Sequence, residues 1–406
     1  MFIDKIQNQN KIKQIIIFLT GLGVAIEKGA FLAVAAIVAL SVFLFDKHRL
    51  VNFHNKYFNK TMLLFLIYVG TVVAISLIQG DFHSIKMVLR DFEKIASFLI
   101  IYILLGKTEK AFFFGSLGFI IGILIGEATV VQSFIAKTSV VGNRYGGIYG
   151  HPNSLGGVME LAIPFLLFSI YQYRKNVYYT ILAGIALISS FFCLFASGSR
   201  GALLAVIGEI CVLIAIYVYR KYKIQSLKKF VFSVILIVLI CLLVFVKFHS
   251  RSYDSERLLL WTAAWQMFLD HPIIGVGFSN WKEIYQTTYI SPLAKEPNLP
   301  HCHNFYLHIL STTGIVGTVA YFNLLIGQLK MSIRNSINEY KLLGTNINIG
   351  DMFGIIICGM LIHNVVEINA VWRFYLLKLF FFWALCCLRF KEIDKLALEN
   401  YRIDGE

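Results

Sequence analysis

The chain has 406 residues, of which 58% are hydrophobic and only 15% carry a charge. This balance excludes an ordinary soluble domain and predicts a polytopic membrane protein. A net charge of +14 is typical of basic cytoplasmic loops that face anionic lipid, and no soluble basic segment offers a nucleic-acid surface.

Apolar runs long enough to form membrane helices recur along the whole sequence. Since a span needs roughly 20 apolar residues, or fewer where neighbouring helices shield it, they predict an all-α protein with about 12 transmembrane helices in a single domain spanning residues 1–406. The predicted spans are 14–26, 29–45, 61–79, 95–106, 111–135, 154–171, 177–196, 201–219, 230–248, 304–329, 351–368 and 374–390.

Basic residues predict the orientation of these spans. Lys and Arg cluster on one side, at residues 5–13, 47–60, 107–110, 174–175, 220–229, 330–341 and 389–402. Because short cytoplasmic loops are enriched in basic residues, we place this side and both termini in the cytoplasm. The opposite side then carries one extended loop, residues 249–303.

This outer loop contains an apolar stretch, Ser255 to Asp270, with two tryptophans. We expect Ser255 to cap the start of a helix and the His271-Pro272 pair to end it. An apolar helix outside the spans is typical of one that lies along the membrane–water boundary.

The outer loop ends in His301-Cys302-His303-Asn304, and Gly314 and Gly317 follow after nine residues. A histidine at the mouth of a membrane helix can accept and release a proton near neutral pH. The two glycines predict a close approach of backbones. Of the seven cysteines, Cys302 is the one that we expect to meet water, and an odd number of mainly apolar cysteines argues against a disulfide framework.

Two arginines are candidates for binding an anion on the same side. Arg200 stands between two spans, where an arginine either snorkels to the interface or meets an anion, and glycines 198 and 201 leave room for a ligand. Arg257 begins the outer-loop helix. It either pairs with Asp254 or Glu256, or offers its planar fork of donors to a phosphate.

Other outer residues are weaker candidates for substrate binding. Three basic residues spaced four apart are expected to share one helix face, either solvated or ligand-binding. The glycine-rich segment 143–157 predicts a structured outer loop. Glu367 and Arg373 straddle the last outer turn, where their simplest interaction is with each other. The set comprises Lys86, Arg90, Lys94, Arg144, His151, Asn304, Glu367 and Arg373.

The sequence predicts neither a metal nor a cofactor. Consecutive residues at 301–303 point apart, and their spacing matches no zinc pattern. Asp254 and Glu256 form an outer acid-x-acid pair, without an obvious third carboxylate. Glu127, Glu160 and Glu209, inside predicted spans, are expected to form internal hydrogen bonds or to pair with arginines.

Taken together, these motifs resemble the O-antigen ligase and polymerase superfamily of bacterial polytopic glycosyltransferases. The resemblance covers most of the chain. It depends on His303-Asn304 with the spaced glycines, Ser199-Arg200-Gly201-Ala202, Glu256-Arg257 followed by Leu260-Trp261, residues 271–277, the Glu367 to Arg373 spacing and Lys94.

The resemblance implies an enzyme of the bacterial inner membrane with its active site facing the periplasm. The donor would be a glycan on undecaprenyl diphosphate, and the acceptor a sugar hydroxyl of lipid A–core. His303 would be the general base of an inverting transfer, with Arg200 and Arg257 binding the diphosphate. Such enzymes resemble GT-C glycosyltransferases, and the family implies no metal requirement.

Other functions remain open alongside O-antigen ligase. A polysaccharide polymerase would use the same donor but a second lipid-linked glycan as acceptor, and a protein O-oligosaccharyltransferase would modify a protein. A transporter would show inverted repeats and charges near the bilayer midplane, whereas the distinctive charges here cluster at one surface.

Overall fold

The computed structural model describes residues 2–45, 55–104, 110–222, 254–295 and 297–403. Within these ranges the secondary structure is helical, apart from one isolated bridge between Val141 and Arg144. The all-α prediction is therefore confirmed for the described part of the chain. The predicted span 230–248 and the first residues of the outer loop lie outside it.

Fifteen α-helices lie within the described residues. They are α1 (Phe2–Ala25), α2 (Gly29–Phe45), α3 (Lys56–Ile78), α4 (Phe82–Leu89), α5 (Asp91–Lys94), α6 (Ala96–Leu104), α7 (Ala111–Ile135), α8 (Pro152–Tyr173), α9 (Val177–Ser197), α10 (Arg200–Lys221), α11 (Asp254–Asp270), α12 (Trp281–Ile284), α13 (Phe305–Leu343), α14 (Ile349–His363) and α15 (Arg373–Ile403).

Six of the described helices are long and apolar enough to cross a membrane: α3, α7, α8, α9, α10 and α13. Two shorter apolar helices are Gly29–Ser41 and α14. The count of 12 spans and their orientation stay predictions. One predicted span is shorter than expected, because α14 ends at His363 and releases residues 364–368 into a loop.

Glycines allow α1 and α7 to pack backbone to backbone. A Cβ added at Gly118 would lie 2.1 Å from the carbonyl oxygen of Phe18, and one at Gly122 would lie 2.8 Å from that of Leu22. Small residues at the interface are the usual means by which apolar helices associate within lipid.

Helix α15 occupies the centre of the bundle, and its side chains from Tyr375 to Cys387 are buried on every face. Phe382 stacks on Phe165 of α8 with ring centroids 4.3 Å apart, and the indole N–H of Trp383 donates to Thr61 Oγ1 at 2.8 Å. The charged Lys378 in this stretch is also buried, and it pairs with Glu27 at 2.6 Å.

Helix α13 is interrupted at Gly314, whose φ of 61° and ψ of −167° are not helical. The freed backbone groups bond to the segment that leaves α11. Ile315 and Val316 donate to the carbonyls of Pro272 and Ile273, and the Ser311 carbonyl accepts from Val276. The predicted close approach of backbones is confirmed at Gly314, since an added Cβ would lie 2.3 Å from the Ile273 carbonyl.

Helix α11 carries apolar side chains on both of its faces. Leu260, Ala264 and Met267 pack in a cluster with Trp281 and Tyr285. On the opposite face Leu258, Trp265 and Leu269 are exposed. The helix ends at Asp270 as predicted, but it already includes Asp254, so Ser255 lies inside its first turn and is not the cap.

Ion pairs gather near the C-terminal end of α10. The guanidinium of Arg220 donates to both carboxylate oxygens of Asp351, at 2.5 and 2.9 Å, and Arg389 pairs with Glu339 at 2.7 Å. Arg200 begins the same helix, roughly 30 Å away at 1.5 Å per residue. The acid–base network and the candidate site are thus at opposite ends of α10.

Candidate functional site

A cavity of about 900 Å³ lies where the ends of several helices meet. Arg200, Arg257 and His303, which are far apart in sequence, all line it. Other polar residues that line the cavity come from the glycine-rich segment, the turn before α10, the outer loop, and the end of α14 with the loop that follows it. They include Arg144, His151, Asn153, Ser199, Glu256, His301, His363 and Glu367.

His303 lies immediately before α13, and its side chain is 20% exposed. Its φ of 52° is unusual for a residue with a side chain. The next residue, Asn304, caps α13 by accepting from the Leu307 N–H at 3.0 Å. Asn304 is therefore a structural cap and is not among the residues that line the cavity, contrary to its prediction as a substrate contact.

Glu367 fixes the orientation of the His303 ring. Its Oε1 lies 3.3 Å from His303 Nδ1, and its side chain is only 1% exposed. Burial by itself raises the pKa of this carboxyl, but the hydrogen bond and charge of His303 outweigh burial and lower the pKa to about 2. An ionised Glu367 favours the tautomer with a proton on Nδ1, which leaves Nε2 of His303 as the acceptor.

A chain of hydrogen bonds continues behind Glu367. Asn153 Nδ2 donates to Glu367 Oε2 at 2.7 Å, and Asn153 Oδ1 accepts from Arg144 at 2.5 Å. Arg144 also donates to the Ser197 carbonyl at 2.8 Å. Arg144 thus lines the cavity while supporting Asn153. No pattern in the sequence distinguished Asn153 from the other turn-forming residues of its segment.

The two predicted arginines lie on different helices. Arg200 is the first residue of α10, and Ser199 caps this helix by accepting from the Ala202 N–H. Arg257 lies on α11, next to Glu256, which accepts from the Lys295 backbone N–H at 3.0 Å. Backbone N–H groups and guanidiniums together suit an anion.

The glycines beside Arg200 allow close packing and also line the cavity. Gly201 faces the His363 ring, which an added Cβ would approach to 2.5 Å, and Gly198 has a φ of 56° and borders the Arg144 side chain. The expectation that both glycines leave room for a ligand stays a prediction. Their missing side chains admit neighbouring residues of the protein.

His363 is a site residue that sequence reasoning missed. Its Nδ1 contacts Glu160, and its Nε2 lies 3.4 Å from Ser199 Oγ. Tyr375 donates to the other oxygen of Glu160 at 2.6 Å. A histidine at the end of an apolar run was the available indication, since ionisable groups there need partners. The prediction that Glu160 is bonded internally is confirmed.

The other two intramembrane carboxylates differ from each other. Glu127 accepts from Ser190 at 2.5 Å, which confirms an internal bond. Neither oxygen of Glu209 has a hydrogen-bond partner among the described residues. For Glu209 the expected bond is therefore not found in this part of the chain.

Four predicted basic candidates lie away from the cavity walls. The helix expected to carry three of them is broken between α4 and α5, so Lys86, Arg90 and Lys94 do not share one continuous helix face. Lys94 pairs with Asp91 at 2.6 Å. Arg373 pairs with Glu93 at 3.1 Å and not with Glu367, which is engaged by His303 and Asn153.

The residues beside His303 also differ from expectation. Cys302 is fully buried, so the prediction that it meets water is wrong. His301 packs against the His303 ring at 4.3 Å between centroids. Burial, followed by the charge of His303, lowers the pKa of His301 to about 3. His301 is therefore neutral at physiological pH.

Three side chains that could bind a metal lie close together, although the spacing of residues 301–303 matches no zinc pattern. The donor atoms of His301, His303 and Glu367 all lie within 4.8 Å of one another. His301 and His303 are two residues apart in the chain, and their rings lie close together where the backbone of His303 is in the left-handed region. The predicted acid pair is not part of this group.

Residues 185–322, about a third of the chain, match the family model described as O-antigen ligase. This part of the chain is similar to the O-antigen ligase family. The matched region contains Arg200, Arg257, His303 and both spaced glycines, whereas Glu367 and Asn153 lie outside it. No curated protein matches the chain.

Proposed function

We propose that the protein transfers a glycan from undecaprenyl diphosphate to a sugar hydroxyl at the periplasmic face of the bacterial inner membrane, as an O-antigen ligase with lipid A–core as acceptor. The main observation in support is that Arg200, Arg257 and the His303–Glu367 pair line one cavity of about 900 Å³. The family match supports the enzyme class.

The proposed reaction is a single displacement with inversion. The acceptor oxygen attacks the anomeric carbon while the bond from that carbon to the diphosphate oxygen breaks. His303 Nε2 takes the hydroxyl proton, and Glu367 stabilises the imidazolium that forms. The electron pair of the broken bond leaves on the diphosphate. General-base catalysis of this kind contributes roughly 10²–10⁴-fold.

Arg200 and Arg257 would offset the charge that develops on the leaving diphosphate. Guanidiniums bind phosphate oxygens in a bidentate manner, and the N-terminus of α10 adds backbone donors and a favourable helix dipole. This arrangement places positive charge beside the leaving group. The proposal therefore needs no metal, although the site includes three side chains able to bind one.

A test would reconstitute the purified full chain with undecaprenyl-diphosphate glycan and either lipid A–core or a second lipid-linked glycan. We expect product with lipid A–core, and unchanged turnover in EDTA. Product with the second glycan alone would favour the polymerase. Loss of turnover in EDTA would contradict the metal-free mechanism.

Variants of the three central residues test the assigned roles. We expect His303→Ala to lose at least about 100-fold in turnover, because the base is removed. Arg200→Lys and Arg257→Lys should each lose about tenfold or more, since lysine keeps the charge but not the fork. Arg90→Lys, outside the cavity, is the matched control. Full activity in His303→Ala would exclude its role as base.

A further inference from the structure

The group formed by His301, His303 and Glu367 has a spacing that suits a metal ion. His303 Nδ1 and Glu367 Oε1 are 3.3 Å apart, and all three donor atoms lie within 4.8 Å of one another. With metal–ligand bonds of about 2.0–2.1 Å in a tetrahedron, neighbouring donors are about 3.3 Å apart. One edge of the group already has that length.

The surroundings hold Glu367 in place. Glu367 Oε2 accepts from Asn153, and Oε1 also accepts from the Ile368 N–H at 3.2 Å. Asn153 is in turn bonded to Arg144. Hydrogen bonds that orient the ligands from behind are typical of metal sites and increase their affinity.

The group also has an open side. All three residues line the cavity, so the group borders the space where a ligand or water enters. Two histidines and one glutamate with an open fourth position form a donor set that zinc adopts in proteins. Nitrogen and oxygen donors of this kind exclude the soft, thiolate-preferring metals.

We propose that His301, His303 and Glu367 bind Zn²⁺ and that bound zinc inhibits glycan transfer. The inhibitory part rests on the proposed role of His303 as base. If zinc binds Nε2, it occupies the lone pair that would accept the proton. If it binds Nδ1, the neutral ring carries its proton on Nε2, which then cannot accept another. Either mode removes the base.

The charge of the cavity sets how tightly zinc binds. Arg144, Arg200 and Arg257 line the same cavity and repel a cation, whereas Glu367 supplies one negative charge to the group. We therefore expect reversible binding that is weaker than in dedicated zinc enzymes. The donor diphosphate is attracted to the same arginines, so saturating donor should change the zinc concentration needed for half inhibition.

Direct binding is measured first, with untagged full-length protein in nanodiscs and a fluorescent zinc indicator as competitor. We expect one zinc per chain, and at least tenfold weaker binding in His301→Gln and in Glu367→Asp. His83→Gln, an exposed histidine on α4, is the matched control and should bind like the wild type. Wild-type affinity in both site variants, or no binding at all, would disprove the site.

Turnover is then measured against zinc concentration, with each variant compared with its own zinc-free rate. We expect inhibition that EDTA reverses, and a half-inhibitory concentration at least tenfold higher in His301→Gln. Activation by zinc would overturn the inhibitory role. Zinc binding alongside full activity of His303→Ala would instead leave the site standing and reject the proposed function.

Discussion

His303 depends on a partner that lies 64 residues later in the chain. The sequence placed Glu367 beside Arg373, because an acid and a base six residues apart across a turn pair most simply with each other. In the structure, Glu93 takes Arg373, and Glu367 is buried against His303 and Asn153. Local spacing cannot predict this exchange, because all the partners come from other helices.

Replacing Asn153 by aspartate tests whether this residue positions the base. Aspartate still accepts from Arg144, but it loses the N–H donated to Glu367 and adds a negative charge beside it. Extra negative charge favours the protonated form of a neighbouring imidazole. We expect the acid limb of the kcat/KM profile to move upward by about one pH unit.

The control for this change is Asn143→Asp, at an exposed asparagine outside the cavity walls. It adds the same charge in the same segment, without the contact to Glu367. An unmoved profile in Asn153→Asp, or an equal movement in both variants, would show that Asn153 does not act through Glu367.

His301 predicts a loss of stability in mild acid. Its pKa is about 3 in the folded protein, because burial disfavours the charged form, whereas an exposed histidine has a pKa near 6.5. The unfolded state therefore takes up a proton as the pH falls below about 6.5, and the folded state does not until about 3. Stability decreases throughout this window.

Melting temperatures in detergent between pH 7.5 and 5 measure the effect. We expect the wild type to lose stability by up to about 1.4 kcal/mol for each unit below pH 6.5, and His301→Gln to lose less. Glu367, with its pKa lowered to about 2, adds a loss in the same direction only below about pH 4.5. Equal slopes in both proteins would contradict the assignment to His301.

At the level of secondary structure, the break in α13 is the feature that joins two parts of the site. The spaced glycines indicated close backbone contact, but not that Gly314 leaves the helical conformation. The segment 272–277 fills the break and is thereby fixed against α13. This contact connects the C-terminal end of α11 to α13. Helix α11 carries Arg257, and α13 begins shortly after His303.

Alanine at Gly314 should be far more damaging than alanine at Gly344, which ends the same helix. Both glycines have a positive φ, 61° and 65°, but Gly344 is in the left-handed helical region with a ψ of 18°, whereas the ψ of −167° at Gly314 belongs to a region that is essentially restricted to glycine. At Gly314 the new Cβ also meets another backbone, 2.3 Å from the Ile273 carbonyl, whereas at Gly344 none of the described residues beyond its own neighbours lies within 4 Å.

We expect Gly314→Ala to lower the melting temperature strongly and to reduce turnover at least about tenfold, because the displaced segment follows α11, the helix that carries Arg257. Gly344→Ala should keep most of its activity. Similar losses in the two variants would contradict a special role of Gly314 in the site.

For the whole molecule, the two ends of the bundle differ in chemistry. One end collects the ion pairs of Arg220 and Arg389, and the other collects the cavity with its histidines and arginines. The predicted orientation assigns the first end to the cytoplasm and the second to the periplasm. This assignment still depends on the distribution of basic residues.

Cysteine labelling can test the orientation. Lys282 lies in the outer loop and Lys341 near the end of α13, and both are exposed. With a membrane-impermeant maleimide on intact spheroplasts, we expect Lys282→Cys to react and Lys341→Cys to react only after permeabilisation. The unmodified chain controls for its own cysteines. The reverse pattern would invert the topology.

The sequence by itself determined the helical class and most helix positions, because hydropathy acts within one helix or one turn. The three residues at the centre of the proposed chemistry were predicted from their place in the sequence and from the resemblance to a known family, and their roles stay predictions. Only the tertiary structure decided that Glu367 orients His303, that Asn153 and His363 join the site, and that Lys94 and Arg373 do not. Those contacts join distant helices, and pairing between such helices is set by packing that no local pattern records.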